Sequence, residues 1–347
     1  MDYIVLDLEW NQNPYGKRNY HPEMPFEIIE VGAVKMNSDL EIEDSFHQIV
    51  KPRVYKKLHY KIKEITHFTN EELTKGSDFR KVIREFLEWC GDDYMFCTWG
   101  SMDLTELQKN MKHYKLERVL DFPLYYLDLQ KIYSLRYDDG KNKSTLSDVV
   151  EELGIKEDKE FHRAIDDAFY TAKVFQKMEP GRFIKRLSID TFYPPRIKEE
   201  EIFVEFDDYN KLVTREFLSK DEMFADKDVE ELRCNKCGER VYPYIDWFSD
   251  SGKTYFCLGK CPEHGDIRGK IKIRKCEKDR FYAIKIVKVA DETRVQKVKD
   301  KKESIREKRR EKRHRLLERE MMQETWGSSA IDDDDAEDDY QDPSSTK

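Results

Sequence analysis

Residues 1–10 read MDYIVLDLEW. Ile4, Val5, Leu6 and Leu8 have the apolar character of a buried strand, yet Asp7 and Glu9 interrupt it. Side chains two apart on a strand point to the same face, so the two carboxylates lie side by side among apolar neighbours. Burying either charge alone is costly, and two together repel. A hard, oxygen-seeking cation such as Mg²⁺ or Mn²⁺ relieves both problems, but only if further ligands come from elsewhere in the chain.

Two other segments supply them. In Cys97-Thr98-Trp99-Gly100-Ser101-Met102-Asp103-Leu104, a strand runs into a Gly-Ser turn and then a helix, with Asp103 in its first turn. An acid there also complements a helix dipole, so Asp103 alone says little. The second segment is Phe161-His162-Arg163-Ala164-Ile165-Asp166-Asp167-Ala168. Helical spacing puts Asp166 on a solvated stripe with Arg163, Tyr170, Lys173 and Lys177. Asp167 shares a small, apolar stripe with Ala164, Thr171, Val174 and Met178, so Asp167 is the carboxylate that needs an explanation. Together Asp7, Glu9, Asp103 and Asp167 provide four carboxylates for two divalent ions, and His162 adds a group that titrates near neutrality.

The surrounding pattern is α/β. Strands are predicted at 3–9, 27–35, 43–50, 94–99 and 124–129, the first three as an antiparallel meander. Phe79, Val82, Ile83, Phe86, Leu87 and Cys90 form a helical stripe. Further helices follow at Leu104–Met111, Leu146–Leu153 and Arg163–Met178. The three acidic motifs, in this order, resemble the DEDDh 3′–5′ exonucleases. Lys63 to Leu73 (KEITHFTNEEL) matches a segment common in them, and Trp99-Gly100-x-x-Asp103-Leu104 is similar to the Eri-type and KapD-like subgroup.

The resemblance covers residues 1–180. It implies a ribonuclease-H-like fold with a five-stranded mixed sheet flanked by helices, and hydrolysis from the 3′ end of single-stranded nucleic acid, RNA ahead of DNA. It also implies two Mg²⁺ or Mn²⁺ ions on Asp7, Glu9, Asp103 and Asp167, with Asp7 bridging. His162 is then the general base, and Leu8 and Trp10 contact the terminal nucleotide. The rival expectation is a non-catalytic adaptor that keeps the fold.

Beyond residue 180 the sequence gives less. Residues 181–232 read as a connector, and 233–290 as a small β domain around a cysteine cluster. Cys234-x₂-Cys237 and Cys257-x₃-Cys261 flank a hairpin-like segment, close to a zinc ribbon holding structural Zn²⁺. Four cysteines are the preferred ligand set, with His264 as the alternative, and Cys276 is a spare. Residues 291–347 read as a charged helix and an acidic, disordered tail (332–339).

Composition sets outer bounds. The 347 residues are 38% hydrophobic and 39% charged, with a formal net charge of −9 to which the tail contributes most. No segment has the ~18 apolar residues of a membrane helix, nothing near the start reads as a signal peptide, and the odd count of seven cysteines suits reduced thiols. A cytoplasmic protein without membrane partners is the expectation.

Overall fold

The computed structural model describes the chain apart from residues 17–19, 139, 141, 158–160, 180, 277–278 and 329–347, and gives only the backbone of 182, 183 and 322–328. The acidic run 332–339 therefore lies outside the described residues. The chain divides into two compact units that meet in sequence at Pro194–Pro195.

The first unit opens with β1 (Asp2–Gln12), β2 (Phe26–Met36) and β3 (Ile42–Ile49), which pair antiparallel in succession. Short helices α1 (Tyr60–Thr66) and α2 (Asn70–Lys75) follow, then α3 (Phe79–Cys90), β4 (Tyr94–Thr98) and α4 (Met102–His113). Next come β5 (Tyr125–Asp128), α5 (Leu129–Tyr137), α6 (Leu146–Glu152), α7 (Ala164–Lys177) and β6 (Ser188–Ile189). β4 joins β1 in parallel, β5 joins β4 in parallel, and the sheet order is β3-β2-β1-β4-β5-β6. The sheet thus has six strands where five are expected. The sixth is a two-residue antiparallel edge on β5, too short to leave a pattern in sequence.

Alternation along β1 divides the core. Ile4, Leu6 and Leu8 pack with Phe79, Val82, Phe86 and Leu107 on one face. Val5 packs on the other face with Ala168, Val174 and Phe175 of α7. The odd-numbered positions run on from Val5 to Asp7 and Glu9, so the strand that builds the core delivers its carboxylates beside α7. Tyr170, expected on the solvated stripe, is fully buried and stacks on Phe161 at 4.8 Å. Its aromatic face outweighs the charges at 163, 173 and 177 that suggest exposure.

In the second unit, β7 (Ile202–Glu205) and β8 (Asn210–Val213) precede helices α8 (Lys220–Ala225) and α9 (Lys227–Glu230). β9 (Leu232–Arg233) and β10 (Arg240–Val241) form a ribbon. β11 (Pro243–Ser249), β12 (Thr254–Cys261), β13 (Gly265–Lys275) and β14 (Phe281–Val289) lead to α10 (Glu292–Ser328). The large sheet runs β11-β12-β13-β14-β8-β7. Residues 181–232 are thus not merely a connector: 202–205 and 210–213 are a hairpin that completes this sheet against β14. The segment 306–315 lies within α10 and is exposed.

Candidate active site

Asp7 pairs with Gly32 across β1 and β2. A β-carbon on Gly32 would sit 2.2 Å from both Ala164 C and Ile165 N, so only glycine lets the start of α7 rest on the sheet there. Ala164 is fully buried at that contact. The space left by two small residues is filled by the sheet backbone itself, and it draws Asp167, one turn on, toward β1. Asp167 is 9% exposed and Asp166 is half-buried. Ligand atoms of Glu9, His162 and Asp167 lie within 4.8 Å of one another.

Asp103, 6% exposed in the first turn of α4, completes the acidic group. Burial pushes its carboxyl up to about 7, against hydrogen bonds from its own N–H and that of Leu8. Burial likewise takes Glu9 up to about 9, with Asp167, Glu30 and Asp103 adding repulsion. Asp167 rises to about 6 through burial, opposed by a hydrogen bond from the His162 backbone. Asp7 is raised well above the ordinary carboxylate range by burial and then by Asp103, Asp167 and Glu9. Such a set holds either protons or a cation. The donors fit a divalent ion on a second ground: Asp167 Oδ1 is buried with no hydrogen-bond partner among the described residues.

His162 sits in the left-handed region (φ 70°), uncommon for a residue with a side chain. Its N–H donates to Asp167 Oδ2 at 3.1 Å. The next residue clamps the turn. Arg163 Nη2 donates to Glu30 Oε1 at 2.9 Å, and the Ala164 N–H to Glu30 Oε2 at 2.9 Å. The Arg163 guanidinium also lies 4.3 Å from the Phe68 ring centre. Glu30, whose side chain is wholly buried, meets His47 Nε2 at 2.7 Å as well. Burial alone would raise its carboxyl, but hydrogen bonds from His47, Arg163 and Ala164 hold it below the ordinary value. The His162 ring is exposed at this turn, and partial desolvation and nearby His67 lower its pKa.

Asp7, Glu9, Asp103 and Asp167 open onto a cleft of about 400 Å³. Trp10 lines it while packing on Phe26 at 5.9 Å, so one ring serves both strand end and cleft. Leu8 is 3% exposed, with its side chain in the core; its backbone N–H, bonded to Asp103, is what it offers the site. Sequence reasoning missed three features: Glu30 as the clamp on Arg163, Lys143 as an exposed cation on the cleft, and Gln130 beside the Trp99 of the quoted motif. Trp99 Nε1 and Gln130 Nε2 both donate to the Ser144 carbonyl, at 3.2 and 2.9 Å, fixing the segment that carries Lys143.

In the second unit, ligand atoms of Cys234, Cys237, Cys261 and His264 fall within 4.8 Å of one another. Cys237 Sγ is 3.7 Å from Cys261 Sγ, and His264 Nδ1 is 3.6 Å from Cys234 Sγ. The Cys234 knuckle closes through Gly238 N–H to Cys234 O (2.9 Å), with Gly238 at φ 75°. Burial raises the Cys261 thiol, but hydrogen bonds from His264 and the Glu263 backbone prevail and bring it down to about 7. Cys257 does not join this group, which corrects the four-cysteine expectation. C-x₃-C lies within strand β12, not in a turn. Four residues of strand separate the two thiols by roughly 13 Å on one face. Cys257 instead fills the gap over Gly269 beside Trp247. His264 reaches the cluster because the chain turns between Cys261 and Gly265.

A mixed sheet that gathers acids from β1, α4 and α7 at one cleft defines the class: a ribonuclease-H-like domain with a carboxylate centre. Residues 4–175 match the model of the exonuclease family (RNase_T), and that stretch is an exonuclease domain of this family. The chain is 27% identical over 186 residues to 3′-5′ exoribonuclease 1 of Rattus norvegicus, covering 51% of this chain and 53% of the relative. It is 28% identical over 185 residues to the probable 3′-5′ exonuclease KapD of Bacillus subtilis, covering 52% and 85%. The chain therefore spans about half the length of the rat relative. A solved structure of the nuclease domain of 3′hExo, a DEDDh family member, bound to rAMP, is 23% identical; it covers 55% of this chain and 96% of that one with a TM-score of 0.45. Among the described residues, no helix is long and apolar enough to cross a membrane.

Proposed function

We propose that the first unit removes nucleotides from the 3′ end of single-stranded nucleic acid, RNA in preference to DNA. The observation that carries this reading is the meeting of Glu9, His162 and Asp167 beside Asp7 and Asp103, with Asp167 Oδ1 left unpartnered. The family match and the relatives named as exoribonucleases support it. Asp7, Glu9, Asp103 and Asp167 hold two Mg²⁺ or Mn²⁺ ions, which when bound supply charge to stabilise the phosphate and a more acidic water.

His162 takes the proton from the water that attacks the terminal phosphorus. The bond from phosphorus to the preceding 3′ oxygen breaks; that oxygen takes a proton from solvent and leaves as a hydroxyl, His162 returns its proton to solvent, and a nucleoside 5′-monophosphate departs. Glu30 and Arg163 hold the His162 turn in place. Trp10 presents a face for the last base, a contact worth ~1–3 kcal/mol, and Lys143 offers a cation to the phosphate chain. In the second unit, three thiols and one imidazole form the donor set of a structural zinc. Incubation with RNA and DNA oligonucleotides labelled at either end, with Mg²⁺, Mn²⁺ or EDTA, tests the proposal. A product ladder shortening from the 3′ end, faster on RNA and absent in EDTA, is expected.

A further inference from the structure

Strand β13 has two unlike faces. Ile267, Ile271 and Ile273 are buried in the core, whereas Arg268, Lys270 and Lys272 alternate with them on the other face. Cross-strand register extends the charge. Arg268 lies directly opposite Lys288 of β14, a like-charge pair that costs stability. Lys270 and Lys272 lie opposite Ile286 and Ile284, which are half-buried. The first turns of α10 pack nearby on Phe256 and Leu258 through Val295 and Val298. Arg294, on the same turns, depresses the pKa values of Arg268 and Lys288 after their partial burial.

Asp208, Asp250 and Asp291 lie near enough to favour the charged forms of Lys288, Lys270 and Arg268, but Asp250 pairs with Lys301 and Asp291 with Arg294. Among the described residues, Arg268, Lys270, Lys272 and Lys288 make no ion pair, and Arg268 Nε is buried without a hydrogen-bond partner. A folded chain that keeps three half-buried cations and an exposed fourth side by side gains from a polyanion laid over them. Side chains on one strand face recur every ~6.6 Å, an interval comparable to that between phosphates of an extended nucleotide strand.

We propose that the half-buried basic face of β13 and β14, beside the edge of α10, is a nucleic-acid binding surface that grips the phosphates of a single strand through Arg268, Lys270, Lys272 and Lys288. It stands outside residues 4–175, which match the nuclease family. Its use in holding a substrate rests on the function proposed above; the binding itself does not.

The test is fluorescence anisotropy of a labelled single-stranded RNA of about 30 nucleotides on the full chain in EDTA, over a range of salt. Replacing Arg268, Lys270 and Lys288 together by Gln is expected to weaken binding ~10-fold or more. It should also flatten the slope of log K against log salt by about 2, since each phosphate contact contributes ~0.7. Melting temperature should hold or rise, because repulsion is relieved. If the triple variant fails to fold, the exposed Lys272→Gln should still lower the slope by ~0.7. Unchanged affinity and slope overturn the proposal. So does a result in which the substitutions alter only capture of a peptide of residues 331–341, since the chain's own acidic tail is then the occupant. Cleavage of a short oligonucleotide by the triple variant reports separately on the nuclease reading, so the two can fail independently.

Discussion

The carboxylate centre and the thiol centre solve opposite problems. The first is assembled from β1, α4 and α7, elements up to 160 residues apart, and each acid is fixed by core packing independent of any ion. The second is assembled from two turns, with small apolar clusters around it. In the first, the fold forces like charges together and so creates affinity for a cation. In the second, the cation itself is expected to supply much of the local stability. Loss of metal should therefore silence the first unit without unfolding it, and loosen the second.

The largest effect that can break this contrast is at Asp167. Asp167→Asn should reduce hydrolysis by ~10³-fold or more, in line with loss of a metal-centred role, while melting temperature holds or rises. Asp166→Asn should change the rate little. Similar losses at both positions would show that α7 presents a different face to the cleft.

His162→Ala should cost ~10²–10⁴-fold. In the wild type, the base is neutral above its pKa, which lies below the usual ~6.5. The rate should thus fall with decreasing pH only below that ordinary value, and the variant should lose this limb. A profile unchanged by the substitution assigns proton removal elsewhere.

Glu30→Gln sharpens the comparison, since Glu30 hydrogen-bonds to Arg163 and Ala164 at the start of α7 while lying opposite Glu9 across β1 and β2. A loss of ~10–100-fold in kcat is expected, as for other groups that orient catalytic ligands, with Mn²⁺ affinity shifted less than in Asp167→Asn. Equal loss of metal would make Glu30 a ligand rather than a positioning residue.

A smaller effect concerns pH and stability without metal. Glu9, Asp103 and Asp167 titrate near 9, 7 and 6 in the cation-free fold, above the ~4 of an unfolded carboxylate. The folded state therefore binds more protons, and stability in EDTA should fall as pH rises from about 4 toward 9. Mg²⁺ should restore it increasingly at higher pH. Melting curves at pH 6 and 8.5, with and without Mg²⁺, check the sign. The smallest effect separates a cysteine from a histidine: Cys257→Ser should keep bound zinc, whereas His264→Ala should lose it, as read by metal analysis.

Much of the first unit is legible in sequence because its signals are local. The β1 alternation and the α7 stripe are properties of one element each, and they suffice to turn Asp7, Glu9 and Asp167 toward a common side. Glu30 escapes such reading because its partner is 133 residues away and its strand, EIIEVGAVK, is too apolar to mark one acid as special. Gly32 escapes because its role is the approach of α7. In the second unit, β7 and β8 are four residues each, and β8 takes its place in the sheet from distant β14. Cys257 misleads for a related reason: spacing alone does not say whether C-x₃-C is turned or extended. Where backbone conformation is set by tertiary pairing, ligand spacing loses its meaning.

The most direct test of the central claim is digestion of a 5′-labelled single-stranded RNA by the full chain and by Asp7→Asn, in Mn²⁺ and in EDTA. The account predicts a ladder receding from the 3′ end in wild type with Mn²⁺, and intact RNA in EDTA and in the variant, which should still bind the strand. Vigorous cleavage by Asp7→Asn, or by wild type in excess EDTA, would contradict it.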